Sequence, residues 1–261
     1  MSHHHAALSE TTLFGIRLCA GDLQTAVDTI AEHAQLGAGG LVCVANVDMV
    51  TRAKRTPRLA QLMQGARVVV TDGMPLVWAL RKLKGLNQTQ RVDGPNLTLA
   101  LCKRAAEQGI GVFFCGGSPT ELKLLQHNLS IQFPRLRIVG AVSPPLLAAE
   151  PPFDVAITAQ INQSGAGLVF VGLGCPKQEF WMDTHQAALK PVAIGVGLVF
   201  ALIAGTQTRA PEWMRSAGLE WLFRLGQEPG RLWKRYLIGN SLFIWYLLNE
   251  YLRPAKPGNS K

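Results

Sequence analysis

At 261 residues the chain can bury a sizeable core as one large domain, or as one domain with an appendage. It is 48% hydrophobic and only 16% charged, yet carries a net charge of +9. This combination argues against nucleic acid, which a basic and polar protein would suit, and favours an anionic membrane surface or a phosphorylated substrate. Its five cysteines (Cys19, Cys43, Cys102, Cys115, Cys175) are odd in number and far apart. They form neither a disulfide framework nor a metal-ligand spacing, and so indicate reduced thiols in a cytoplasmic chain.

The first residues, MSHHHAALSE, lack the basic start and apolar core of a signal peptide, and His3 to His5 are assigned no role. Short apolar or β-branched runs then recur: LVCVANV (41–47), ARVVVTDG (66–73), GVFFCGG (111–117), RIVGAV (137–142), GLVFVGLG (167–174) and PVAIGVG (191–197). Segments of helical period separate them, such as PTELKLLQHNLSIQF (119–133), apolar at 122, 125, 129 and 133. Continuous apolar strands alternating with helices predict an α/β, Rossmann-like core over residues 1–205, with a mostly parallel sheet covered on both faces. SPPLLAAEPPFD (143–154) reads as a surface connection. No apolar run reaches the length of about 18 residues needed for a span; VAIGVGLVFALIAG (192–205) and LIGNSLFIWYLL (237–248) both fall short.

From residue 206 the composition changes. Trp213, Trp221, Trp233 and Trp245, four of the six tryptophans, lie here with Arg209, Arg215, Arg224, Arg231, Lys234 and Arg235. Pro211 and Pro229 suit first helical turns and predict helices near 211–225 and 229–251. Residues 206–252 therefore form a helical appendage, followed by a polar tail at 253–261. Aromatic and basic residues mixed in a segment too short to span indicate a helix lying in a membrane interface. A buried helix pair, or a contact between copies in a homo-oligomer, is the competing reading.

In open α/β sheets ligands sit beyond the carboxyl ends of the strands, so the polar and glycine residues there are the candidates. They are Asn46 and Asp48, Asp72 in VTDGMP, Gly116 and Gly117 in GGSPTE, and the turn VGLGCPKQEFWM. GGSPTE reads equally as a capped helix start, with Ser118 as the cap and Glu121 in the first turn, or as an anion site built from free amides. Asp72 alone is either a turn residue or a catalytic carboxylate. In the last turn, Gly172 and Gly174 begin like a dinucleotide fingerprint, but Lys177 stands where the third glycine belongs, which argues against a nucleotide-dependent oxidoreductase. Gln178 and Glu179 offer donors and acceptors suited to a sugar; the plainer alternative is a solvated first turn.

Together, NVDMV, VVVTDGMPLVWAL, RVDGPNL, FFCGGSP, FVGLGCPKQEFWM and GVGLVFALIAGTQTRAPEWMRSAGLEWLFRLGQEPGRLWKRYL resemble the WecG/TagA/CpsF family of bacterial glycosyltransferases, over residues 12 to 237. The resemblance implies transfer of a sugar, with inversion, from a UDP-sugar donor to a polyprenyl-diphosphate-linked sugar acceptor. It implies a peripheral enzyme on the cytoplasmic face of the inner membrane, whose appendage docks on the membrane and helps close the site. By that pattern Asp72 is the general base, Gln178 touches the sugar, Arg91 is a site arginine and Asn46 matches a first-strand asparagine. Arg224, Arg231 and Arg235 correspond to arginines that reach the diphosphate. None of the seven aspartates lies two residues from another, so no D-x-D metal motif exists; arginines would stabilise the leaving group and no cofactor is expected. Three positions depart from the family pattern. Val44 stands for a threonine, Asn96 for the aspartate of G-x-D-L, and Ala201 for an aspartate. The VANVDMVTR and VGLGCPKQE versions of the motifs, with Ala201, resemble a branch that adds a β-1,4-linked glucose in xanthan-like exopolysaccharide synthesis; N-acetylmannosamine or its uronic acid is the alternative sugar. A basic peripheral membrane adaptor without catalysis is the reading from another class.

Overall fold

The computed structural model describes residues 8–145 and 147–252; the histidine trio and the tail at 253–261 lie outside them. In chain order the strands are β1 (Ser9–Leu13), β2 (Ile16–Ala20), β3 (Gly40–Ala45), β4 (Val68–Thr71), β5 (Gly111–Gly116), β6 (Arg137–Val142), β7 (Leu168–Gly172) and β8 (Val192–Gly195). The helices of the first half are α1 (Leu23–Gln35), α2 (Val47–Ala53), α3 (Pro57–Gly65), α4 (Met74–Lys84), α5 (Gly94–Gln108) and α6 (Pro119–Gln132). The second half adds α7 (Val155–Gln163), α8 (Lys177–His185), α9 (Val199–Ala204), α10 (Glu212–Ser216), α11 (Glu220–Gln227) and α12 (Pro229–Leu252).

The strands form one sheet in the order β1-β2-β4-β3-β8-β7-β5-β6, parallel throughout except for the β1–β2 pair. The six apolar runs are thus β3 to β8, and the fold is α/β and Rossmann-like. Alternate residues of each strand enter opposite cores. Leu41, Cys43 and Ala45 of β3 pack with α2, α3, α4, α7 and α8, while Val42 and Val44 pack with α1, α5, α6 and α9. Burial on both faces is why β3, β4, β5, β7 and β8 read as continuous hydrophobic runs and not as alternating ones; β6, at the sheet edge, is only partly covered. After β4 the chain crosses over β3, β8 and β7 to reach β5, so the strand order reverses there and a crevice opens beyond the carboxyl ends.

Two features were not read from the sequence. The hairpin β1–β2 adds a short antiparallel edge, turned by Phe14 and Gly15 with φ of 55° and 80°. Two consecutive positive φ values match the twist of a tight hairpin. The aromatic residue tolerates this conformation because its ring is buried against α12, 5.6 Å from Phe243 and 5.6 Å from Tyr246. The second feature is a break in the helix expected at 211–225. Gly218, at φ 71°, separates α10 from α11, and a Cβ there would lie 3.0 Å from the Trp78 ring.

Helix α12 lies across α2 and touches α4, burying Leu232, Gly239 and Phe243. Asp48 of α2 receives Arg235 of α12 at 3.0 Å and Arg52 of its own helix at 2.8 Å; Lys84 of α4 reaches Glu250 at 2.9 Å. The helix is therefore held by one aromatic anchor and charge pairs on either side of it. Truncating Phe243 to Ala should cost about 3 kcal/mol of packing. The expected readout is cleavage within α12 by limited proteolysis while the sheet core stays protected; protection equal to the native chain would show that α12 does not depend on this anchor.

Candidate active site

Strand ends and the appendage together enclose two cavities. One, of about 360 Å³, is bounded by the turns after β3, β4, β5, β7 and β8 and by α9. Asn46, Asp72, Gly117, Gly172, Gly174 and Gln178 line it from the core, and Arg224, Arg231 and Arg235 from the appendage. The other, of about 560 Å³, lies between α4 and the helices α11 and α12, with Met74, Pro75, Trp221, Tyr236, Phe243 and Leu247 in its wall. Asn46, Asp72, Glu220, Arg224 and Arg235 border both. Asp72 thus stands where the two spaces meet. Arg91 lines the second cavity, whereas Gly116 and Glu179 line neither.

The glycines at these strand ends serve close approach or a left-handed turn. A Cβ on Gly116 would stand 2.5 Å from the Gly172 carbonyl oxygen, so β5 and β7 could not close on each other at their ends with any other residue. Gly174 has open space beside it and φ of 81°, the left-handed turn that leads into α8. Ser118 and Glu121 form a complete capping box: the serine hydroxyl accepts from the Glu121 amide, and the glutamate accepts from the Ser118 amide. The capping function of GGSPTE is therefore realised, and Gly117 and Glu121 also face the first cavity.

The PKQE turn is not a solvated first turn. Gln178 is 4% exposed and Glu179 0%. The Gln178 carbonyl oxygen accepts from the Gly174 amide at 3.1 Å, and its Nε2 donates to Glu179 Oε1 at 2.8 Å. These two bonds set the amide orientation and leave one Nε2 proton for the cavity. Burial pushes the Glu179 carboxyl above the usual range, against the pull of the Gln178 donor, and its Oε2 has no hydrogen-bond partner among the described residues. The arrangement needs Gly195, where a Cβ would come within 3.0 Å of Gln178 Nε2. Lys177 turns away, donating to the Leu147 carbonyl at 2.8 Å.

Asp72 caps the end of β4 and shares one guanidinium with the appendage. Arg91 donates through Nε at 3.2 Å and Nη2 at 3.1 Å to Asp72 Oδ1, and Nη2 also meets Glu220 Oε2. Among the described residues, Asp72 Oδ2 accepts no hydrogen bond. Burial in the cleft raises the Asp72 carboxyl to about 7; Arg91 opposes this, and Asp93 and Glu220 reinforce it. Asp93 in turn caps α5 and binds Arg209 at 2.7 Å. Asn96, one of the departures from the family pattern, donates to Asp93 Oδ2 at 3.0 Å and accepts from Arg209 at 3.1 Å, a bridging role that a second carboxylate could not fill. Val44 and Ala201, the other two, line the first cavity.

Of the appendage arginines, Arg235 is held by Asp48 and Arg231 by Glu228 at 2.5 Å, while Arg224 forms no ion pair among the described residues. No group of three or more His, Cys, Asp or Glu side chains is arranged to hold a metal ion among those residues. Glu220, Asp93 and Arg209 carry no local signal that marks them as site residues. Each sits inside a quoted motif, in GLEWL, RVDG and TRAP, but only distant chain segments brought together make it part of the chemistry.

A carboxylate with raised proton affinity, an amide donor fixed by its neighbours and a cluster of guanidiniums suit transfer of a group from an anionic leaving group to a hydroxyl. The family comparison agrees: the model of the glycosyl transferase WecG/TagA/CpsF family matches residues 11–257. With a match over nearly its whole length, the chain belongs to the WecG/TagA/CpsF family of glycosyltransferases.

Proposed function

We propose that the protein moves a hexose, with inversion, from a UDP-sugar to a polyprenyl-diphosphate-linked sugar in exopolysaccharide synthesis, with Asp72 as the general base. The observation that carries this reading is the meeting of two cavities at Asp72, one rich in glycine and arginine, the other apolar. In this reading the first holds the UDP-sugar and the second the acceptor's sugar and the start of its lipid. Asp72 removes the proton of the acceptor hydroxyl. The freed oxygen attacks the anomeric carbon from the face opposite the diphosphate, the bond from that carbon to the UDP oxygen breaks, and Arg224, Arg231 and Arg235 take up the charge on the departing diphosphate. Gln178 orients the donor sugar with its free amide proton.

Glucose is the first choice of sugar, joined through a β-1,4 linkage, on the strength of the sequence resemblance. The cavity adds modest support: Val44 and Ala201 line it with methyl groups only, where a threonine hydroxyl or an aspartate could hydrogen-bond the N–H of an acetamido substituent. The arginine cluster supports metal-independent chemistry.

The cytoplasmic membrane surface is proposed as a partner through α12. No helix among the described residues is long and apolar enough to cross a membrane. Yet α12 exposes Leu237, Ile238, Ile244, Trp245, Leu248 and Tyr251, each half or more exposed, along the side away from Phe243. Such a stripe, with Trp233 and Lys234 at its start, suits a helix lying in the headgroup region beside a lipid acceptor.

A screen of UDP-sugars against short-chain polyprenyl-diphosphate acceptors should give product from UDP-glucose, with inverted anomeric configuration by NMR and undiminished by EDTA; turnover of UDP-N-acetylmannosamine alone would move the assignment to the other sugar. Asp72→Asn should lower kcat by roughly 10²- to 10⁴-fold, and kcat/KM of the native enzyme should rise with pH through an apparent pKa near 7. The raised carboxyl makes ionisation of Asp72 cost stability as pH rises from about 4 to about 7, so Asp72→Asn should melt no lower than the native protein at pH 8. Deleting residues from 209 onward should release the protein from anionic vesicles and abolish transfer; an active, unbound truncation would remove both roles of the appendage.

A further inference from the structure

Arg91 is a shared guanidinium, and the second carboxylate on it comes from the appendage. Glu220 opens α11 and borders both cavities beside Asp72. Its Oε2 meets the same Nη2 that donates to Asp72 Oδ1, while Nη1 of Arg91 points to the Arg215 carbonyl oxygen at 3.5 Å. The side chains of Arg91, Asp72 and Glu220 are 14%, 22% and 26% exposed, so this three-membered group is shielded from bulk water. Asp93 stands 4.0 Å from Arg91 Nε but is already bonded to Arg209. Among the described residues, the other charged groups lining the two cavities are the carboxylates of Asp48 and Glu121 and the guanidiniums of Arg215, Arg224, Arg231 and Arg235.

A guanidinium devoted to one carboxylate stabilises its ionised form and makes it a poor base; a second carboxylate on the same cation divides that pull and adds its own repulsion. We propose that Glu220 is a positioning residue which, by drawing on Arg91 when α11 is seated, makes Asp72 basic enough to take the acceptor's proton. Seating of the appendage and readiness of the base are thereby one event. With α11 lifted, Arg91 pairs with Asp72 alone and Asp72 meets more water, and both changes weaken the base. The donor sugar is then protected from transfer to water until the appendage is in place. This rests on Asp72 being the base.

The test compares Glu220→Gln with Glu220→Asp in the full chain on vesicles carrying the acceptor. For Glu220→Gln the acid limb of kcat/KM should move to lower pH by about one unit and the plateau kcat fall about tenfold, with the donor KM changed less than about twofold. Glu220→Asp, which keeps the charge, should return the limb most of the way, and it also carries the test if the glutamine variant folds poorly. In an Asp72→Asn background, Glu220→Gln should cause no further loss, since there is no base left to tune. An unmoved acid limb, or a loss that adds to that of Asp72→Asn, would overturn the proposal while leaving Asp72 as the base. If Asp72→Asn itself retained full activity, the base assignment and this inference would fall together.

Discussion

The seating of α12 on α2 is the contact on which the site depends. Without it the carboxyl ends of the strands form an open shelf, and Asp72, Asn46 and Gln178 face water. With it, both cavities acquire their outer walls, and Arg224, Arg231 and Arg235 reach the first of them. The contact is built from unlike parts: the Phe243 ring against Phe14 at the hairpin tip, the close approach at Gly239, and Arg235 placed on Asp48. Asp48 is 8% exposed and carries two guanidiniums, so removing α12 would leave its charge only half matched. Breaking a buried pair costs more than the pair contributes, because the remaining charge stays desolvated. That asymmetry favours a docked appendage while keeping it separable when water or lipid headgroups can solvate the partners.

The glycines and the buried PKQE turn serve a different need, close approach without motion. Gln178 is useful to a ligand only if its amide has one orientation, and the Gly174 amide and Glu179 supply it from opposite sides. Glu179 pays for this with an oxygen that has no partner among the described residues, in a position where Gly195 leaves no room for a side chain to cover it. A buried carboxylate in that state is expensive. Its position directly behind a cavity-lining amide supplies the reason to retain it.

The fold also rearranges the charge pattern of the appendage. Basic residues are spread along the appendage in sequence, but in the fold Arg209, Arg215, Arg231 and Arg235 pair with Asp93, Glu212, Glu228 and Asp48, leaving Arg224 outside any ion pair among the described residues. The site is therefore not a uniform positive patch. It is a set of guanidiniums, most of them partly neutralised by carboxylates, whose planar forks match the geometry of carboxylate and phosphate alike.

The sequence by itself determined the layers. Apolar runs buried on both faces can only be interior strands of a parallel sheet, and helical periods between them place helices on both sides. It also determined which strand ends carry polar residues, so Asp72, Asn46 and Gln178 stand out in the chain itself, and the family motifs single out Arg91 and the tail arginines. Local patterns could not show that a Phe-Gly pair would turn a hairpin onto the last helix, since the αL conformation of Phe14 is held by residues more than two hundred positions away. Nor could they distinguish a solvated Glu179 from a buried one, because its neighbours, Gly195 and Gln178, meet only when β8 lies beside β7. Glu220 is the clearest case. In the chain it is an ordinary first-turn acid of an amphipathic helix, and only the folding of the appendage over β4 places it on the arginine that Asp72 also holds, because electrostatic coupling depends on distance in space and not on separation in sequence.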